Sequence, residues 1–212
     1  MKVEVLKVAG LDIACDAVRL SFNSTSNEDT VIASGNDRTC MDLFADDVEL
    51  LKKLIVAGDS HAKVMRMATV WLDVTMPRYW WSEADQCKVG FVTMSESSVH
   101  RLKSRIKKGE LGVPDFEVDK YSVFATYIVE QTISAMFAGV TKCDISTEEL
   151  KQMLPESFLQ RRIICTNYQT LRHIYFDRRK HRLPIWHKFL DTLLEQLPFP
   201  EFITVEKEVI SG

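Results

Sequence analysis

Two stretches of the chain concentrate side chains able to hold and polarise a ligand. The first, Arg78 to Arg101, reads RYWWSEADQCKVGFVTMSESSVHR and gathers charges, hydroxyls and four aromatics, three of them (Tyr79, Trp80 and Trp81) directly after an alternating apolar segment. Loops at strand ends are where mixed α and β proteins usually place ligand-contacting groups. Within it, Ser95-Glu96-Ser97-Ser98 precedes a helical pattern, so its hydroxyls and free backbone N–H groups suit an anion such as phosphate. The same run also reads as a plain helix cap at Ser97 or Ser98.

The second stretch, Asn167 to Trp186, holds Arg172, Arg178, Arg179, Lys180 and Arg182 with His173 and His181. A guanidinium fork matches a phosphate or the imide edge of a uracil. A cationic helix end favoured by the helix dipole is the plain alternative. Asn167, Leu171, Ile174, Tyr175 and Arg178 are spaced i, i+4, i+7, i+8 and i+11, which puts Arg178 on the apolar, inward face of a helix. An inward arginine needs an anionic or carbonyl partner.

The elements that must carry these groups follow from periodicity. Lys2 to Val8 alternates as a strand, Leu11 to Phe22 is helical, and Asn23 to Thr39 has the Ser, Asn, Asp and Gly composition of a mobile surface loop, a candidate lid. Met41 to Ala57 is a helix stopped by Gly58, and Ala68 to Met76 is a central strand ended by Pro77. Arg78 to Glu83 starts a helix or turn, Ser97 to Lys108 is helical, and Asp119 to Gly139 forms a long, largely buried helix with apolar residues on two faces, covered either partly by neighbouring subunits or by the monomer's own core. Ser146 to Glu149 has capping-box spacing for a short helix ending near Pro155. Helices are expected over Glu156 to Arg182, with a break near Thr166, and over Ile185 to Leu197. No linker or repeat divides the chain, so residues 1–212 are treated as one α+β domain.

Composition narrows the classes. The 212 residues can bury a core without staples, and five scattered cysteines with no C-x-x-C pair suggest neither a disulfide framework nor a zinc site. Those features and the strand-like N-terminus point to a reducing, cytoplasmic setting without a secretion signal. The most apolar stretch, Tyr121 to Val140, is interrupted by Glu130, Gln131, Thr132 and Ser134, so no membrane span is expected. A net charge of -3 gives no long-range attraction to nucleic acid, although Arg178 to Arg182 keeps a nucleic-acid-binding module as a lesser alternative. No Gly-x-Ser-x-Gly elbow, Gly-x-Gly-x-x-Gly loop or Gly-Lys-Thr loop occurs, and the five histidines form no H-x-x-x-H pair, so no metal site is assigned.

The order and spacing of these stretches resemble flavin-dependent thymidylate synthases. Asp16-Ala17-Val18-Arg19-Leu20-Ser21-Phe22 is similar to the family's early Ala-Ala-Arg-x-Ser-Phe, and Ala57-Gly58-Asp59-Ser60-His61 to its Gly-His-x-Ser/Thr. Ser95-Glu96-Ser97-Ser98-Val99-His100 takes the place of Asn-Glu-x-Ser-x-Arg, while Arg78 to Lys88 lacks the family's Arg-His-Arg. Leu154-Pro155, Asn167-Tyr168-Gln169-Thr170-Leu171, Arg178 or Arg179, His181 and Trp186 resemble its C-terminal motifs.

The resemblance implies a central, mostly antiparallel sheet packed with helices. It implies an FAD-dependent methyltransferase converting dUMP to dTMP, with methylenetetrahydrofolate and NADPH as co-substrates, or else a non-catalytic relative of the same fold. Arg178 would act at the uracil, with Glu96, Ser97, Ser98, His100, Arg101 and Arg179 on the nucleotide. His61, Arg78, Lys88, Asn167 and His173 would hold the flavin, with Trp80 or Trp81 as a stacking surface. Both tryptophans read equally well as core residues. The family's sites lie between subunits, which implies a homotetramer.

Overall fold

The computed structural model describes residues 1–21, 43, 45–87, 89–119 and 121–206, so the expected lid at 23–39 lies outside the described residues. In chain order the elements are β1 (Lys2–Ala9), α1 (Leu11–Ser21), α2 (Ala45–Ala57), α3 (Asp59–Ala62), a 3-10 turn (Lys63–Arg66), β2 (Thr69–Pro77) and α4 (Arg78–Ala84). There follow β3 (Val92–Ser95), α5 (Ser98–Lys107), α6 (Val123–Lys142), α7 (Thr147–Gln152), β4 (Leu159–Asn167), α8 (Tyr168–Arg178), α9 (Pro184–Leu194) and α10 (Glu201–Thr204). The strands form one antiparallel sheet in the order β1-β2-β4-β3, giving the expected α+β class.

β2 is the sheet's apolar spine. Val70, Leu72, Val74 and Met76 alternate on one face and are wholly buried, as their spacing predicts. Pro77 ends the strand because it cannot donate to the ladder, and its extended backbone (ψ 155°) starts α4. Gly10 turns β1 into α1 with φ +88°, where a Cβ would come within 2.5 Å of the Met67 carbonyl oxygen.

The chain forms two compact units, and β2 and β4 each contribute residues to both. The first contains Val74–Gln86 and Met94–Arg162. Its core includes Leu102, Ile106, Phe116, Met136, Leu150 and Phe158, packed between α5, α6 and α7. Ser146 caps α7 through a reciprocal bond with Glu149, the expected capping box. The second unit, Val3–Asp73, Cys87–Thr93 and Ile163–Gly212, buries Leu51, Ile55, Leu171, Trp186 and Phe202.

Three expectations change. Residues 159–167 form a strand, not the first part of a helix: Ile164 and Thr166 are buried while Arg161 and Ile163 are exposed, a period of two carried by β-branched residues. α6 is not largely buried: Val129, Met136 and Val140 are its buried residues, with Ile133 partly buried against the same core. Phe124 is 75% exposed, with Val123, Tyr127, Ile128 and Phe137 also on the surface. Despite its polar interruptions, α6 is long and apolar enough by length and composition to cross a membrane. Trp80 and Trp81 are each 1% exposed and meet edge to face at 4.8 Å, so they are core residues, not a stacking surface for a ligand.

The Arg19 of the early motif is also structural, its Nε donating to the buried Asp47 carboxylate at 2.7 Å. Beside this pair, burial and then the Asp47 charge push the Cys15 thiol up to about 12. Its ordinary value is 9.0, so this contribution to stability is present below that pH and is lost as pH rises toward about 12. At pH 8, iodoacetamide is expected to label exposed Cys143 in the native protein and Cys15 only after unfolding. Equal labelling rates by mass spectrometry would contradict this packing.

Candidate active site

In the first unit, a shallow cleft lies where β4 meets the start of α5. β3 stops at Ser95, and the Glu96 amide donates to the Arg161 carbonyl at 2.9 Å, which fixes the turn into the helix. Ser97 is the α5 N-cap residue in extended conformation, yet its hydroxyl makes no capping bond. The hydroxyl is therefore not spent on the helix, in contrast to the plain-cap alternative. Glu96, Ser97, Arg101, Arg105 and Arg161 line the cleft with Leu102 and Phe158. Its enclosed volume of about 40 Å³ is on the scale of one small anion, not a whole nucleotide.

Charge in this cleft is partly balanced internally. Arg101 donates to Glu96 at 2.7 Å, although the arginine side chain is 71% exposed. Arg105 is held by Asp115 at 2.7 Å and by the Glu110 carbonyl. Of Ser98 and His100, the structure describes only the backbone, within α5. Thus Glu96, Ser97 and Arg101 converge as the sequence predicts. Arg161 joins them unanticipated; a strand assignment for 159–167, which puts Arg161 and Arg162 on opposite faces, would have singled it out.

The remaining predicted residue of this unit stands elsewhere. Arg78 starts α4, donates to the Leu154 carbonyl at 3.0 Å and pairs with Glu156 at 3.3 Å. It lines a separate cleft with Lys151 and Gln160. Lys88 lies outside the described residues.

The second unit holds the other predicted residues. Asn167 caps α8, its side-chain oxygen accepting from the Thr170 amide at 2.9 Å. The turn at Gly90 packs tightly on this cap: φ is +69°, and a Cβ would meet the Asn167 amide nitrogen and the Thr170 hydroxyl at 2.6 Å. The Thr170 hydroxyl donates to the Val89 carbonyl at 3.1 Å. The region without Arg-His-Arg thus begins as α4, and the turn that follows it is fastened to α8. His173 Nε2 lies 3.5 Å from Asp59 of α3, the helix that also carries His61.

His61 lines a cavity of about 570 Å³ with Ser60 and Lys63 and with apolar Val18, Leu54 and Met67. Close in sequence to the Asn167 cap, two buried polar atoms, the Thr166 hydroxyl and the Gln169 amide nitrogen, have no partner among the described residues. Gln169 is 2% exposed and its carbonyl oxygen accepts from Arg66 at 2.7 Å, so the amide hydrogens are the orphans. A large cavity with apolar walls and a few polar groups, Ser60, His61 and Lys63, suits a planar cofactor; neither Thr166 nor Gln169 lines it.

Arg178 is inward-facing as expected, its guanidinium 5.1 Å from the ring centre of buried Trp186. Its positive charge also bears on Cys87, although burial dominates and raises that thiol. Arg179 turns to Glu206 and covers Phe176 at 4.5 Å, and Arg172 donates to the Ile203 carbonyl. Much of the basic run is therefore engaged with the C-terminal segment. Among the described residues, no cluster of three His, Cys, Asp or Glu is placed to hold a metal ion.

No sequence-family model matches the chain, and no curated protein does. Solved structures do. Helicobacter pylori flavin-dependent thymidylate synthase, complexed with FAD and dUMP, superposes with a TM-score of 0.75 at 15% identity, over 93% of this chain and 94% of that one. A UMP/dUMP methylase from Streptomyces cacaoi, bound to 5-bromo-dUMP, has a TM-score of 0.65 at 15% identity, over 98% and 96%. The chain therefore has the fold of flavin-dependent thymidylate synthases along essentially its whole length.

Proposed function

We propose that this protein is a flavin-dependent methyltransferase acting on a uridine nucleotide, with dUMP as substrate and dTMP as product. The observation that carries the reading is the α5 cleft. On a fold whose neighbours were solved with dUMP or its bromo analogue, the residues around Ser97, Arg101 and Arg161 offer donors and positive charge at the start of a helix. They would hold the phosphate, with Glu96 accepting from the sugar's 3′-hydroxyl. Arg178, of this or a neighbouring subunit, would donate to the uracil carbonyl and stabilise charge that develops on the ring.

FAD is the cofactor that the second unit's residues suit, with His61, Asn167 and His173 as its contacts. When bound and reduced, it would supply the hydride and relay the one-carbon unit taken from methylenetetrahydrofolate, with NADPH as reductant. The protein supplies binding, orientation and electrostatics. Assembly as a homotetramer is supported by α6, whose exposed Phe124, Tyr127, Ile128 and Phe137 form an apolar surface suited to burial against another copy.

The test is to purify the protein, measure flavin absorbance before and after reconstitution with FAD, and titrate dUMP, UMP and deoxyuridine. Flavin uptake, preference for the phosphorylated ligands, and dTMP formation with methylenetetrahydrofolate and NADPH are expected. Nucleotide binding without flavin uptake would overturn the flavin chemistry, and equal affinity for dUMP and deoxyuridine would overturn the phosphate site. Light scattering at micromolar concentration reads the assembly in the same samples.

A further inference from the structure

β4 presents a second cleft with a different chemistry. Leu159 and Arg161 alternate with Gln160 and Arg162 along the strand, so the two pairs project to opposite faces. Gln160 lines a cleft of about 180 Å³ with Arg78, Lys151, Leu154 and Phe158.

The orientation of the Gln160 amide is set from behind. Its side-chain oxygen accepts from Arg162 twice, from Nε at 3.3 Å and from the terminal nitrogen at 3.1 Å. Arg162 is itself pinned: its other nitrogen donates to Asp85 at 2.7 Å, and its guanidinium lies 4.3 Å from the Trp81 ring centre. Trp81 is fixed in turn through its indole N–H, which donates to the Gln160 carbonyl at 2.9 Å. With the amide oxygen spent on Arg162, Gln160 has only N–H donors left to offer.

The other polar side chains lining this cleft, Arg78 and Lys151, also donate only, and both are cationic. Leu154 and Phe158, 8% and 7% exposed, supply apolar walls. Glu156, on the Arg78 guanidinium at 3.3 Å, is 61% exposed and does not line the cleft. A cleft whose side chains bring donors and positive charge but no acceptor is matched by an oxyanion that accepts from several directions.

We propose that the Arg78, Lys151 and Gln160 cleft is a second anion site, which takes the phosphate or carboxylate end of a small molecule other than the one held at α5. Gln160 is its positioning residue, oriented by Arg162. The site rests on this cleft's donor set and not on the nucleotide reading: Arg78 and Lys151 are its own, while Gln160 and Phe158 also line the α5 cleft.

The experiment uses the full chain carrying Arg161→Ala, which removes a guanidinium from the α5 cleft, and measures binding of inorganic phosphate and of succinate by calorimetry. One of the two anions is expected to bind still, and the tighter identifies a phosphate or a carboxylate source. Adding Lys151→Ala should weaken that binding about tenfold, as loss of one charge-assisted contact does. Gln160→Glu should do so at least as strongly, because it puts an acceptor and a negative charge among the donors. Lys151→Ala in the otherwise unaltered chain should leave dUMP affinity unchanged. Absence of binding by both anions in the Arg161→Ala chain, or binding indifferent to both added substitutions, would overturn the proposal. Failure of dUMP to bind the unaltered chain would overturn the nucleotide reading and leave this one standing.

Discussion

Replacing Arg178 by alanine is expected to lower turnover by about 10²–10³-fold, the usual cost of removing a donor aimed at charge that develops in the transition state. The side chain ends α8 and extends over Trp186, a ring 1% exposed, so its direction is set by packing. The cation and ring contribute about 0.5–2 kcal/mol to stability, a small part of what a domain this size has. Activity should therefore fall far more than the melting temperature. Arg178→Lys keeps the charge but loses the planar fork, and is expected to fall between the two. Steady-state rates with dUMP, methylenetetrahydrofolate and NADPH, beside thermal melts of the same samples, read both effects. An alanine variant that melts early but turns over normally when folded would make Arg178 a packing residue.

Arg178 was legible because helical spacing alone puts it in line with Leu171 and Ile174, which are 1% and 4% exposed. The spine of β2 was legible for the same kind of reason, since strict alternation leaves one interpretation. β4 was not. Its Gln-Arg-Arg start has no apolar alternation of its own, and the strong helical period of 168–178 extends backward over it when read as a sequence. Only the sheet pairing, with Glu96 donating to Arg161, resolves the ambiguity.

Aromatic and apolar density misled in both directions. Trp80 and Trp81, in a polar stretch, are buried through contacts with residues far along the chain, such as Gln160. α6 has apolar residues on more than one face, but a single chain covers only the side holding Val129, Met136 and Val140. Periodicity reports which residues avoid water and is silent on whether the cover comes from the same chain. The gap left by Arg-His-Arg is similar: the sequence shows the loss of charge, while the fastening of Gly90 onto the α8 cap needs coordinates.

Adjacent arginines on β4 provide the sharpest separation of roles. Arg161→Ala should reduce dUMP affinity roughly 10- to 100-fold, the loss of a charge-assisted contact worth about 1.5–3 kcal/mol, and leave deoxyuridine affinity unchanged. Arg101→Ala should reduce dUMP affinity too. Its guanidinium is 71% exposed and already donates to Glu96, so a phosphate must compete with a carboxylate for it. Arg162→Ala provides the control: one residue away, it faces Asp85 and Trp81, so its loss should lower stability by about 1–2 kcal/mol and spare the preference for phosphate. Calorimetry with dUMP and deoxyuridine, paired with melting curves, distinguishes all three variants. If Arg161→Ala keeps the phosphorylated ligand preferred while Arg162→Ala loses that preference, the face assignment of β4 is inverted and the phosphate site does not lie at α5.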